Sequence, residues 1–413
     1  MIDQTLTLPN GRTLKNRIVK SAMSEALADA HNNPSQGQID LFRRWSAGGA
    51  AMLITGNTPV DRWHLEHAGN FVLDPLSDLE QVARLTEAAK SGGAVVLAQL
   101  AHAGRQTPQA VNPAPTSVST EEMDLPGYGA PQQATDADLE AVVEKFSRSA
   151  QLAQEAGFDG VQIHGAHGYL LSSALSPRIN TRHDQWGGPL ENRARLLLSV
   201  VRAVRAAVNP EFIVAVKLNS SDFQKGGFSH EESVLVAQML EAEGVDFIEI
   251  SGGTFETPTA YQHASQKEST KAREGYFLEY AKAIKAAISI PLMVTGGFRS
   301  VEVMNGALER AETDLIGMGR PFIIDPEFPT KLLSGASDMA PAVERGFPPA
   351  SELPRGAVLN WFCEQLSLLG RMGDTNLELS VEDGHERYLA FIQAATHALL
   401  SARTETGLQR PGS

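Results

Sequence analysis

Two histidines and a tyrosine stand close together in the segment HGAHGY, which spans residues 164–169. Two imidazoles that face one substrate oxygen can donate hydrogen bonds to it and stabilise negative charge that develops there. A tyrosine, whose ordinary pKa is about 10, can donate a proton at neutral pH. His164, His167 and Tyr169 therefore indicate polarisation of a carbonyl-like oxygen and protonation of a carbon, which is the chemistry of an enolate.

The same two histidines could instead bind a metal ion, since imidazole is a common zinc ligand. A catalytic zinc normally has three protein ligands, but the sequence has neither a His-x-His at the first strand nor an HExxH helix. The segment HLEH, residues 64–67, adds two histidines without an evident third ligand. The sequence therefore predicts no metal site. A metal-dependent barrel hydrolase that uses His164 and His167 stays open as an alternative to the enolate chemistry.

Glycines follow the last two predicted strands and suggest a phosphate site. Gly296 and Gly297 end one strand, and Gly319 with Arg320 ends the next. Backbone N–H groups of glycines can approach a phosphate closely, and a guanidinium adds a bidentate charged contact. A tight turn alone would also explain two adjacent glycines, but glycines after the seventh and eighth strands are typical of the recurrent phosphate site of α/β barrels.

Two polar residues stand within or at the end of apolar runs. Lys217 lies in the apolar run FIVAVKL. Burying its ammonium is costly unless an anionic or electron-rich group lies beside it. That group could belong to a ligand, or it could be a carboxylate on a neighbouring strand that forms a salt bridge with Lys217. Gln99 offers both donors and an acceptor, so its amide could match an amide-like edge of a heterocycle. Together with the phosphate site, Gln99 and Lys217 suggest a phosphorylated heterocycle such as FMN, which could deliver a hydride.

Eight short apolar runs alternate with segments of helical period. The runs are residues 17–23, 50–56, 94–100, 159–165, 212–218, 245–251, 290–296 and 313–319. Continuous apolar strands separated by helices predict a parallel sheet buried on both faces, and eight such units favour a closed (β/α)₈ TIM barrel over an open doubly wound sheet. The connections 101–135 and 165–189 are far longer than usual, so the elaborated side is the carboxyl end of the strands, where both folds bind ligands.

Local signals also fix two of the helices. An apolar stripe with helical spacing runs from Leu139 to Ala153 and stops before Gly157. Ser229 and Glu232 form a capping box at the start of another helix, which stops at Gly244.

Two segments lie outside the eight repeated units. Residues 4–14 predict a small hairpin around Asn10 and Gly11 that would close the bottom of the barrel. Residues 346–356 read as a linker that leads to two helical segments. We therefore expect an FMN-binding TIM barrel in residues 1–330 and a helical C-terminal extension in residues 331–413, and dimer contact, active-site cover and simple packing all remain open as its role.

Composition limits the partners. The chain has 413 residues and a net charge of −14, which disfavours binding to nucleic acid or to an anionic membrane and favours small-molecule partners. The single cysteine, Cys363, excludes an internal disulfide and any iron–sulfur cluster held by several thiolates of this chain. No run of eighteen apolar residues and no secretory signal are visible, so we expect a cytoplasmic protein, and whether it forms a homo-oligomer stays open.

Four ordered motifs resemble the old yellow enzyme family of FMN-dependent NAD(P)H oxidoreductases. They are HGAHGYLLSSALSPRINTRHDQWGGPLENRAR, IGMGRPFIIDPEFP, LAQLAHAGRQ and KNRIVKSAMS, and the resemblance extends over about residues 3–330. It implies FMN as the cofactor and NADPH or NADH as the reductant. One departure is Ser24, which stands where related proteins often have cysteine or threonine.

The resemblance also implies how the flavin would be held. Gln99 would read the pyrimidine ring, and Lys217 would face flavin N1 and O2. The phosphate would lie on Gly296, Gly297, Gly319 and Arg320. The residues expected along the isoalloxazine are Ser21, Ala22, Met23, Ser24 and Gly56.

The implied reaction is the reduction of an activated alkene. His164 and His167 would bind the oxygen of an α,β-unsaturated carbonyl or nitro compound, or of a phenolic ligand. Tyr169 would protonate the α carbon after hydride reaches the β carbon. A non-catalytic flavin-binding protein stays an alternative of another class.

Overall fold

The computed structural model describes residues 1–254, 256 and 274–409. Its strands are β1 Leu6–Thr7, β2 Thr13–Leu14, β3 Ile18–Lys20, β4 Met52–Pro59, β5 Val95–Ala101, β6 Thr116–Ser117, β7 Gln132–Gln133, β8 Gly160–Gly165, β9 Ile213–Asn219, β10 Phe247–Ser251, β11 Leu292–Thr295 and β12 Leu315–Met318. Eight of them pair in parallel and close into a barrel in the order β3-β4-β5-β8-β9-β10-β11-β12. The predicted (β/α)₈ TIM barrel is confirmed, and the open sheet is excluded because β12 pairs with β3.

Helices separate the barrel strands. They are α1 Gln36–Ala47, α2 Leu79–Lys90, α3 Asp136–Glu155, α4 Leu170–Leu175, α5 Leu190–Ala207, α6 His230–Ala242, α7 Leu278–Ala287, α8 Val301–Glu309, α9 Arg320–Ile324 and α10 Phe328–Leu333, followed by α11 Ala357–Met372 and α12 Val381–Glu405. The capping box of Ser229 and Glu232 is present at the start of α6. No helix in the described part of the chain is long and apolar enough to cross a membrane.

The predicted N-terminal hairpin is formed by β1 and β2, which pair antiparallel. Leu8 and Leu14 join a buried cluster with side chains from the barrel interior, among them Val19, Leu97 and Phe247. Because the hairpin adds its leucines to the interior core, it closes the barrel at the end opposite the ligand-binding side.

The two C-terminal helices pack on the barrel and on each other. Gly370 of α11 lies so close to α1 that a side chain at Gly37 would meet its carbonyl oxygen at 2.6 Å. Gly356 and Gly373 flank α11 with φ values of 79° and 78°, a left-handed conformation that glycine adopts without strain. This close contact shows that α11 packs directly on the barrel helix α1. The domain boundary at residue 330 stays a prediction.

A buried ion pair holds the segment that follows the first barrel strand. The Lys20 ammonium is fully buried and lies 2.9 Å from a carboxylate oxygen of Glu25. It also donates to the carbonyl oxygen of Ile54 at 2.8 Å and lies 4.3 Å from the ring centroid of Trp45. Residues 21–24 span the interval between the two charges, so the pair fixes their path.

We predict that Glu25→Gln destabilises the protein by about 3–5 kcal/mol, because it leaves a buried ammonium without its counter-charge. The midpoint of urea unfolding measures this. Asp40→Asn is the matched control, since Asp40 pairs with Arg43 on the exposed surface and its loss should cost less than about 1 kcal/mol. Equal shifts for the two variants would contradict the prediction.

Candidate active site

A cavity of about 590 Å³ opens where the barrel strands end. Of the residues predicted for the site, those that line it are Ser21, Ala22, Met23, Ser24, Gln99, His164, His167, Tyr169, Lys217, Gly296, Gly297, Gly319 and Arg320. The fold therefore brings together the predicted phosphate, ring and substrate residues in one space. Gly56 is the one predicted residue that does not line the cavity.

Gly56 lies behind the cavity wall, and this corrects the expectation that it runs along the flavin. Its amide donates to both carboxylate oxygens of Glu25, at 3.0 and 3.1 Å. Any side chain at this position would collide with the carbonyl oxygen of Met23. Gly56 therefore positions the segment around Met23, and its neighbour Asn57 lines the cavity instead.

A buried polar network forms the floor of the cavity. Gln99 donates from Nε2 to Gln162 Oε1 at 2.7 Å, and Gln162 donates from Nε2 to Glu249 Oε2 at 2.7 Å. Lys217 donates from Nζ to Glu249 Oε1 at 2.8 Å. The salt bridge considered for Lys217 is thus present, and it leaves the lysine at the cavity surface. Among the residues that the structure describes, no hydrogen bond uses the second N–H or the carbonyl oxygen of the Gln99 side chain, and this pair fits the amide-like edge of a flavin.

The glycine-lined end of the cavity fits a phosphate. Gly296 and Gly297 have φ values of 140° and 80°, and a side chain at Gly297 would meet the Tyr276 ring at 2.7 Å. Arg299 also lines this cavity, although no motif in the sequence pointed to it. It is buried, and its Nε has no hydrogen-bond partner among the residues that the structure describes. Arg299 also pairs with Glu344, so the group it offers to an anion is its Nε–H. Together with Arg320 and the glycines that line this end, it fits the phosphate of FMN.

The two histidines of HGAHGY are neutral donors. The backbone N–H of Ala166 donates to Nδ1 of His164 at 3.3 Å, so the proton of the neutral His164 ring lies on Nε2. Burial, followed by the charges of His167 and Lys217, holds the pKa of His164 well below its usual range. Burial, followed by the charge of Lys217, lowers the pKa of His167 to about 3. The ring centroids lie 5.2 Å apart, and each neutral ring carries one N–H.

His167 is held in a strained backbone conformation. Its φ of 62° lies in the left-handed region, which non-glycine residues adopt rarely. Its N–H donates to the side-chain oxygen of Asn219 at 3.2 Å, and its carbonyl accepts from Gln106 Nε2 at 2.8 Å. Strain of this kind persists where the surroundings impose it, commonly at functional sites. Asn219 and Gln106 are therefore positioning residues that sequence reasoning did not identify.

Tyr169 completes the predicted trio. Its ring centroid lies 4.7 Å from that of His164, at an interplanar angle of 68°. Burial, followed by the charge and the hydrogen bond of the Glu66 carboxylate, raises the pKa of Tyr169 well above its usual value. The phenol therefore carries its proton at neutral pH, as a proton donor must.

The C-terminal extension covers the cavity. Phe362, Cys363 and Leu366 of α11 and Tyr388 and Ile392 of α12 line it. Phe362 also packs on the site's arginine, with its ring centroid 5.2 Å from Cζ of Arg320. Of the roles left open for this extension, the structure thus shows both packing on the barrel and cover of the cavity. No sequence motif in either helix indicated that it lines the site.

A second cluster of possible metal ligands, Asp61, His64 and His102, lies outside the cavity lining. Nε2 of His64 accepts from the backbone N–H of Thr116 at 3.0 Å, and Nδ1 of His102 accepts from the N–H of Gly104 at 3.1 Å. A neutral imidazole that binds a metal through one nitrogen carries a proton on the other, which cannot accept. The hydrogen bonds of this cluster therefore favour a structural role.

The barrel, the polar ring-binding floor and the glycine-lined phosphate end define a flavin-binding oxidoreductase of the (β/α)₈ class. Residues 4–338 match the model of the NADH:flavin oxidoreductase / NADH oxidase family. The chain belongs to this family, which confirms the resemblance found in the motifs. Its members use FMN, with NADH or NADPH as the reductant, and the protein is an FMN-dependent oxidoreductase.

Named relatives agree with this assignment. An NADH-dependent flavin oxidoreductase of Neonectria sp. is 36% identical over 370 residues, which cover 83% of this chain and 48% of that protein. The chain therefore spans about half the length of that relative. An NADH-dependent flavin oxidoreductase of Aspergillus parasiticus is 35% identical over 341 residues, which cover 78% of this chain and 76% of that protein.

Solved structures agree on the fold. An old yellow enzyme homologue from Zymomonas mobilis superposes with a TM-score of 0.70 at 24% identity, covering 86% of this chain and 98% of that chain. Likeness at this identity shows the shared barrel alone.

The neutral state of both histidines predicts how pH affects ligand binding. Their lowered pKa values keep His164 and His167 uncharged between about pH 5 and pH 8. The affinity for the phenolate form of a phenolic ligand should stay constant in this range, once the ligand's own ionisation is corrected for. Titrations followed by flavin absorbance measure it. If the phenolate bound more weakly as the pH rose through about 6.5, the ordinary histidine pKa, a cationic imidazole would be indicated instead.

Proposed function

We propose that the protein reduces the activated C=C bond of α,β-unsaturated carbonyl or nitro compounds at the expense of NADH or NADPH. The observation that supports this most is the placement of His164, His167 and Tyr169 in the same cavity as the FMN-binding floor. Two neutral ring donors and one protonated phenol are what the reduction of such an alkene requires of a protein.

FMN, when bound, supplies the hydride that the reduced nicotinamide has given it. Gln99, Lys217 and the arginines at the glycine-lined end would hold it. His164 and His167 would bind the carbonyl or nitro oxygen of the substrate and stabilise the negative charge that develops there. Tyr169 would transfer its phenolic proton to the α carbon, forming the C–H bond and breaking its O–H bond.

The cover formed by α11 and α12 supports the same proposal. Apolar and aromatic side chains of both helices face the cavity, so a substrate in it would be removed from bulk water. Excluding water strengthens hydrogen bonds to a developing oxyanion.

The direct test follows the flavin spectrum without oxygen. NADH or NADPH should bleach the flavin, and cyclohexenone or maleimide should restore its colour. A reduced flavin that these alkenes do not reoxidise would contradict the proposal, as would a purified protein that cannot bind FMN.

Tyr169→Phe should slow reoxidation by an enone by a factor of about 10²–10⁴, the usual contribution of a general acid. Reduction of the flavin by NADH needs no proton from Tyr169 and should change much less. Stopped-flow absorbance separates the two half-reactions. Tyr280→Phe is the matched control, since Tyr280 packs against Phe223 and does not line the cavity. Equal slowing of both halves in Tyr169→Phe would remove the proton-donor role.

His164→Ala should weaken binding of a phenolic ligand about 10- to 150-fold, because one hydrogen bond to a charged oxygen is worth about 1.5–3 kcal/mol. The change in Kd is read from the absorbance of the bound flavin. His397→Ala, at an exposed histidine of α12, should leave Kd unchanged. Unchanged affinity in His164→Ala would rule out its contact with the ligand oxygen.

A further inference from the structure

One carboxylate in the cavity wall has no part in the proposed reaction. Glu66 lies in the connection that follows β4, and among the described residues that line the cavity it is the only aspartate or glutamate. Ser24 donates from Oγ to Glu66 Oε2, and 20% of the Glu66 side chain is exposed. The segment HLEH drew attention for its histidines, but the glutamate between them also reaches the cavity.

No lysine or arginine in the described part of the chain forms a salt bridge with Glu66. The ionisable nitrogen within salt-bridge distance of its carboxylate is Nε2 of His67, at 3.9 Å. Burial lowers the pKa of His67, so this ring is neutral at pH 7. Lys217, which lines the same cavity, is paired with the buried Glu249 instead. The charge of Glu66 is therefore met by a serine hydroxyl and not by a cation.

An uncompensated carboxylate is unexpected in this cavity. The cofactor that fits the cavity carries a phosphate, and the proposed reaction develops a further negative charge on the substrate oxygen. A carboxylate in the wall of the same partly desolvated space repels both charges, and it is costly unless a positive charge comes to lie beside it. A ligand that carries such a charge would supply what the described residues do not.

The aromatic lining of the cavity suits a cation as well. Tyr128, Phe362 and Tyr388 all line it. An ammonium is attracted to the face of an aromatic ring and to a carboxylate. Burial is the main cause that raises the pKa of Tyr128 to about 12 and the pKa of Tyr388 well above its usual value, so both phenols are neutral at pH 7. The cavity therefore combines one carboxylate with neutral aromatic rings.

We propose that Glu66 binds a positively charged nitrogen of the substrate, so that the protein prefers activated alkenes that carry an alkylammonium group. This inference rests on the proposed alkene reduction, because the oxygen of the same substrate would lie on His164 and His167. Neutral alkenes would be reduced by the same trio without this contact. Glu66 is then a residue that determines specificity, and it transfers neither hydride nor proton.

Binding of phenolic ligands to the FMN-loaded protein tests the contact without turnover. The probes are 4-hydroxybenzylamine, tyramine and 4-(3-aminopropyl)phenol, which carry an ammonium on side chains of increasing length. Their neutral counterparts, in which a methyl group replaces the ammonium, are 4-ethylphenol, 4-propylphenol and 4-butylphenol. Kd is read from the flavin absorbance. The amine of best-fitting length should bind at least about tenfold more tightly than its neutral counterpart.

Glu66→Gln removes the charge but keeps the size of the side chain and its ability to hydrogen-bond to Ser24. The ratio of the two Kd values should fall at least about tenfold in this variant. The neutral phenol should bind as tightly as before or more tightly, because its oxygen no longer faces a carboxylate charge in the same cavity. Glu122→Gln is the matched control, since Glu122 is exposed and does not line the cavity, and it should leave the ratio unchanged.

The same preference should appear in turnover. The substrates are two β-nitrostyrenes, one with a trimethylammoniomethyl group on the ring and one with the neutral neopentyl group of the same shape. In the wild type, the charged compound should reoxidise the reduced flavin at a lower concentration than the neutral one. Glu66→Gln should remove this advantage and leave the limiting rate at saturation unchanged, because Glu66 acts on binding.

The outcomes separate this inference from the proposed function. If no phenol perturbs the flavin and neither nitrostyrene reoxidises it, the proposed function itself fails. If the neutral compounds bind and react but the wild type does not prefer the charged ones, or if Glu66→Gln keeps the preference, the inference is wrong. A lower limiting rate for both nitrostyrenes in Glu66→Gln would also overturn it. Should Glu66→Gln fail to bind FMN, the wild-type comparison decides: an amine preference supports the inference, and equal affinities contradict it.

Discussion

Charge inside the barrel has to be paired, and the pairing of Lys217 with Glu249 shapes the floor of the site. Glu249 is fully buried, so its carboxylate would be strongly destabilising without the ammonium 2.8 Å away. Its second oxygen accepts from Gln162, which in turn accepts from Gln99. Four successive strands thus contribute one polar side chain each, and the parallel register sets Gln99 level with Gln162 and Lys217 level with Glu249.

The same constraint explains the protonation states above this floor. Burial, followed by the charges of His167 and Lys217, keeps His164 neutral, and burial, followed by the charge of Lys217, keeps His167 neutral, so each ring carries one N–H. Burial and the nearby Glu66 keep Tyr169 protonated. The site therefore combines two neutral imidazoles with a protonated phenol, which is the combination that the proposed reaction needs for an oxygen and for a carbon.

Much of this could be predicted from sequence because the signals are local. Apolar runs, the Ser229 capping box and the Asn10–Gly11 hairpin each depend on a few neighbouring residues, and the motif HGAHGY supplied three side chains that line the cavity. The contributions of Glu249, Arg299 and Glu66 depend on partners far away in the chain or on the course of a loop. Glu249 did carry a signal, since a glutamate in the middle of the apolar run VDFIEIS needs a buried partner. Gly56 was misassigned because a glycine that approaches a backbone and one that approaches a ligand look alike in sequence.

In the proposed reaction, hydride and proton reach an activated alkene from different sources. Mixing the FMN-loaded protein with cyclohexenone and with NADH or NADPH that carries deuterium at the transferred position, in ordinary water, is the most direct test, because the alkene is then present before the deuterium on the reduced flavin can exchange with water. We expect a saturated ketone with deuterium at the β carbon and only hydrogen added at the α carbon, as read by mass spectrometry and NMR. Deuterium at the α carbon, or no saturated ketone at all, would contradict it.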